Sequence, residues 1–132
     1  MCYILYGATD KAIDQDDYKA ALKKSNYKFC IGTKHDIKMC IVNDSYEYRV
    51  SDWVCDCEFP VGKKDVSAKP LIELAMLINE LKNARNSKCI YISKTWAGRK
   101  NKTEKNIHIN DIDIVSFLAN MDLDCLYRID FH

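Results

Sequence analysis

Between Ala68 and Arg85 the chain repeats its apolar residues at helical spacing, and nearly everywhere else it repeats them at strand spacing. Leu71, Leu74, Ile78 and Leu81 recur three or four residues apart behind Pro70, whose fixed φ suits a first helical turn. Ile72, Ala75, Met76 and Leu77 widen that stripe, so the predicted helix is largely covered by its neighbours. Around it lie short segments rich in β formers. Cys2–Ala8 is apolar on both faces and reads as a central strand, Lys88–Trp96 as another, and Ile107–Ile109 as a short one. The last segment alternates cleanly, with Cys125, Tyr127, Ile129 and Phe131 on one side and Leu126, Arg128, Asp130 and His132 on the other. Segments 27–32, 37–42 and 46–52 follow one another across the polar turns TKHD and NDS, which is the spacing of an antiparallel meander.

Two further helices are expected. One is a short surface helix over 12–26, opening on acids and closing on Lys23 and Lys24 as a helix dipole prefers. The other covers 110–122, with Asp111 as N-cap and Ile114, Val115, Leu118 and Met121 inward. This order predicts an α+β fold with one mostly antiparallel mixed sheet of about five to seven strands and two to three helices packed on it. A chain of 132 residues suits one domain over 1–132 with its own core. Hydrophobic residues at 48% and charged residues at 30% argue against disorder.

The N-terminal stretch has no basic segment and only a short apolar run, and no apolar run reaches the length of a membrane span. A cytoplasmic location with no membrane association is therefore expected, with reduced thiols. Seven cysteines, most of them inside apolar stretches, then read as small core hydrophobes. The pair in SDWVCDCEFP is read the same way. If Asp52 to Phe59 is a strand, Trp53, Cys55, Cys57 and Phe59 share an inward face while Asp52, Asp56 and Glu58 face solvent. Two thiols supply half of a zinc site, and a redox pair has two intervening residues, so neither a metal nor a cofactor is expected. Cys2 is read as the first inward residue of a central strand.

His35 falls in a turn, His108 opposite its flanking isoleucines, and His132 at the last position. No phosphate loop, HExxH or EF-hand pattern is present, and no catalytic residue is assigned. What remains is charge. A net charge of +1 gives no general pull toward nucleic acid or an anionic membrane. Basic residues crowd Lys94 to Lys105 beside Trp96, while acids crowd the 44–58 region and the C-terminal segment.

The resulting expectation is a small protein-binding protein without catalysis, of the kind represented by bacterial immunity proteins that neutralise a toxin. Its partner surface would comprise Asp44, Glu47, Asp52, Asp56 and Glu58 against a basic toxin domain, together with Trp96, Arg99, Lys100 and Lys102. Two alternatives stand beside it: a small cysteine-dependent enzyme using Cys2 or the Cys55/Cys57 pair with His35, and a nucleic-acid module working through the basic loop 94–105.

Overall fold

The computed structural model describes residues 2–10, 20, 46–50, 55–83, 88–96 and 100–132. Among these, five strands make one mixed sheet: β1 (Tyr3–Thr9), β2 (Tyr46–Arg49), β3 (Cys89–Trp96), β4 (Thr103–His108) and β5 (Cys125–Asp130). Their order is β2-β1-β3-β5-β4, antiparallel throughout except for the parallel pair of β4 and β5. Helix α1 (Lys69–Lys82) lies between β2 and β3 in sequence, and α2 (Ile114–Ala119) between β4 and β5. The α+β class and the mostly antiparallel sheet are as expected. The proposed helix over 12–26 and the strands at 27–32 and 37–42 lie outside the described residues.

Helix α1 forms where the spacing demands it, with Pro70 in its first turn. Leu71, Leu74, Ala75, Leu77, Ile78 and Leu81 are buried against Leu5 of β1, Ile90 and Ile92 of β3, and Tyr127 and Ile129 of β5. Ile72 and Met76 are exposed instead of covered, so the apolar stripe stays narrow. The opposite face of the sheet is also buried at Tyr6, Ala8, Ser93, Thr95 and Leu126. Apolar residues on both faces of Cys2–Ala8 thus mark a strand covered from both sides.

Three boundaries move. The strand expected at Ile107–Ile109 begins earlier, at Thr103, because β4 pairs in register with β5 from Thr103 opposite Cys125 to His108 opposite Asp130. It is an exposed strand that ladder bonds stabilise, with no apolar face to announce it. The N-cap of α2 is Asp113, whose carboxylate accepts from the Ser116 N–H at 2.9 Å, and not Asp111. A single 3₁₀ turn at Ile109–Asp111 occupies the earlier position, capped by His108 Nδ1, which accepts from Asn110 N–H. Finally, the strand proposed over 52–59 gives way, from Cys55 onward, to an extended step and then turns.

Those turns are tied down at their far end. Gly62 N–H donates to the Leu118 carbonyl at 2.9 Å and Lys64 N–H to that of Ala119 at 2.8 Å. Gly62 sits at φ +79°, and a Cβ there would meet the Met121 carbonyl oxygen at 3.0 Å. Changing Gly62 to Ala is therefore expected to destabilise by about 1–2 kcal/mol from the left-handed backbone alone. Denaturant unfolding of the variant checks this.

Candidate metal centre

Strand β2 ends at Arg49, leaving the first half of β1 to pair with whatever follows. Val50 N–H donates to the Leu5 carbonyl, and Asp56 N–H to the Tyr3 carbonyl, both at 3.0 Å. The Asp56 carboxylate accepts from Leu5 N–H at 2.8 Å, and Cys57 Sγ accepts from Tyr3 N–H at 3.3 Å. Segment 55–57 therefore closes the open edge of β1 partly with side chains. The result places Cys55 and Cys57 beside Cys2, the residue just before β1.

The three sulfurs lie within 4.8 Å of one another, and all three residues are half-buried. Zn–S bonds of about 2.3 Å at tetrahedral angles set sulfurs roughly 3.8 Å apart, so the thiols need to close by about 1 Å at most. A backbone N–H, that of Tyr3, is aimed at Cys57 Sγ, as donors are at the sulfurs of metal–thiolate sites.

Beneath this cluster lies a buried cation. Lys94, on β3 opposite Leu5 of β1, is 2% exposed. Its ammonium donates to the carbonyls of Cys57 (3.3 Å), Phe59 (2.9 Å) and Val61 (3.0 Å). Three donors meet three acceptors. Burial pulls its pKa below the ordinary lysine value and the nearby Lys63 charge adds to that, while Asp56, Cys57 and Glu58 oppose both. Tyr3 and Trp96, paired across β1 and β3, stack edge to face at 5.2 Å at this end of the sheet.

The geometry inverts the expected faces of the CDC stretch. Asp56 is fully buried and Cys55 and Cys57 are half-exposed, the reverse of thiols inward and acids outward. The alternation is real, but its phase is set by Leu5 N–H and the charge of Lys94, partners that lie far away in sequence. Phe59 is buried too, because the turn closed by its N–H on the Asp56 carbonyl breaks the period of two. Cys2 is likewise half-buried in the cluster, not an inward core residue. The core reading holds for Cys89 and Cys125, both 1% exposed. Burial raises the Cys89 thiol above its ordinary pKa, which keeps it protonated and inert at neutral pH.

The residues proposed as a partner surface are described only in part. Asp44, Asp52, Arg99 and His35 lie outside the described residues. Glu47 pairs with Ala8 at the sheet edge, and Asp56 is turned inward. Glu58 is exposed, 3.9 Å from Lys63. Trp96 is half-buried against Tyr3, and Lys100 and Lys102 are exposed. Several described residues of the basic stretch 94–105 are tied to the fold. Lys94 is interior, Lys102 N–H donates to the Asp124 carbonyl at 2.7 Å, and Lys105 pairs with Asp122 at 3.3 Å.

The expectation of a non-catalytic binding protein is overturned by the Cys2–Cys55–Cys57 cluster, three soft ligands close enough together to hold a metal ion. The sequence pattern supplied two of the three thiols. It missed the third because Cys2 arrives only through the pairing of β1 with segment 55–57. The buried Lys94 was missed because its position in a strand beside basic neighbours looked like solvent-facing charge. No helix among the described residues is long and apolar enough to cross a membrane. Comparison of the chain with known families, curated proteins and solved structures returns no match.

Proposed function

We propose that the chain binds one thiophilic divalent ion, zinc in the first place, through Cys2, Cys55 and Cys57. The mutual approach of the three sulfurs to within 4.8 Å carries this reading. Three thiols are gathered among the described residues, and a fourth position on the ion would be filled by water, a substrate or a further side chain. A metal held there would act as a Lewis acid and lower the pKa of a bound water toward neutrality. The residues of the chain set the rest: Tyr3 N–H donates to the Cys57 sulfur, and the Asp56 carboxylate anchors the ligand segment to β1.

Residue-level alkylation tests it. Without metal, Cys2, Cys55 and Cys57 should react readily while Cys89 and Cys125 stay silent. One equivalent of zinc should protect all three reactive thiols together. Their continued labelling under saturating zinc would refute the reading. The same N–H to Cys57 Sγ favours a second reading, in which Cys57 is a metal-independent nucleophile. Under that reading Cys57 alone labels fastest and zinc changes nothing.

A further inference from the structure

A metal centre built on a turn needs the turn fixed, and between the bonds of segment 55–57 to β1 and those of Gly62 and Lys64 to α2 one buried cation is in position to do so. The three ligands come from two places, the residue preceding β1 and segment 55–57. The first adjoins the β1 ladder, which begins at Tyr3, but the second leaves β1 at Cys57 and enters the turns over 57–62. Turn carbonyls facing inward must be satisfied or they weaken the segment. Those of Cys57, Phe59 and Val61 all converge on Lys94 Nζ. Lys94 is not itself a candidate nucleophile, since each ammonium proton is committed to a carbonyl and the side chain is 2% exposed.

We infer that Lys94 is the positioning residue of the three-thiolate centre. Its ammonium gathers the carbonyls of Cys57, Phe59 and Val61 and so holds Cys57 Sγ within reach of Cys2 and Cys55. This rests on the metal-binding reading and adds to it a residue that touches no metal. Groups that orient ligands in this way typically contribute 10–100-fold in metal affinity.

The decisive variant is Lys94→Met, which keeps an unbranched apolar stem one atom shorter and removes the three donors. Cobalt(II) loading reports the number of coordinated sulfurs through its sulfur-to-metal absorption, and zinc competition against a chromophoric chelator reports affinity. Lys94→Met should bind zinc about 10–100-fold more weakly and show cobalt absorption of a two-sulfur site. Wild-type affinity and a three-sulfur spectrum in a folded Lys94→Met protein would overturn the inference. Should that variant fail to fold, the wild-type protein decides. The Lys94 ammonium nitrogen resonance should shift on cadmium addition, with the same one-equivalent end point as thiol protection. An unmoved Lys94 signal during full cadmium loading would overturn the positioning role. Failure of the wild type to load any metal would remove the parent reading, and this inference with it.

Discussion

Replacing Cys57 with serine is expected to weaken zinc binding at least roughly 100-fold, beyond the effect typical of residues that only orient ligands. Of the three thiols, Cys57 is the one that already accepts a backbone N–H, and its carbonyl is one of the three that Lys94 holds. A serine hydroxyl is a poor ligand for a soft-site zinc but can still accept from Tyr3 N–H. Since Cys57 is half-buried, that hydroxyl also reaches water, and the metal-free variant should melt nearly where the parent does. The two observations separate ligand from core residue. A core thiol would give the opposite pattern, with lost stability and no metal phenotype. Chelator competition and thermal melting, run on the same sample, read both.

The largest stability loss is expected at the neighbouring position. Asp56→Ala removes a fully buried carboxylate that accepts from Leu5 N–H at 2.8 Å. It leaves that N–H without its partner and takes from Lys94 the first of the acidic groups that favour its charge. Hydrogen bonds to charged groups contribute about 1.5–3 kcal/mol, and an orphaned buried donor costs a comparable amount, so a loss of about 2–3 kcal/mol is expected. Asp56→Asn keeps an acceptor oxygen and should lose less. Urea unfolding of both variants checks the order. Equal stability of Asp56→Ala and the parent would mean that the segment does not lean on β1 through this carboxylate.

The pattern of the fold was legible where one residue's environment depends on its near neighbours. Helix α1 followed from Leu71, Leu74, Ile78 and Leu81, and β5 from the alternation of Cys125 to Phe131. Strand β4 was shortened in the sequence reading because Thr103 to Asn106 are polar and exposed, and only pairing with β5 makes them a strand. The site was half legible for the same reason. The CDC spacing puts two thiols on one side, but nothing local says which side. Leu5 N–H lies 51 residues from Asp56, and the Lys94 ammonium lies 37 residues from Cys57. These distant partners stabilise a buried acid and turn the thiols outward, against the ordinary preference of each residue type. Cys2 joined the cluster only through the sheet.

X-ray absorption spectroscopy of the zinc-loaded protein tests the central claim most directly, because it counts the atoms bound to the ion. Three sulfur scatterers at about 2.3 Å with one nitrogen or oxygen near 2.0 Å are predicted for a three-thiolate centre. A shell made only of nitrogen and oxygen, or one holding fewer than three sulfurs, would contradict it.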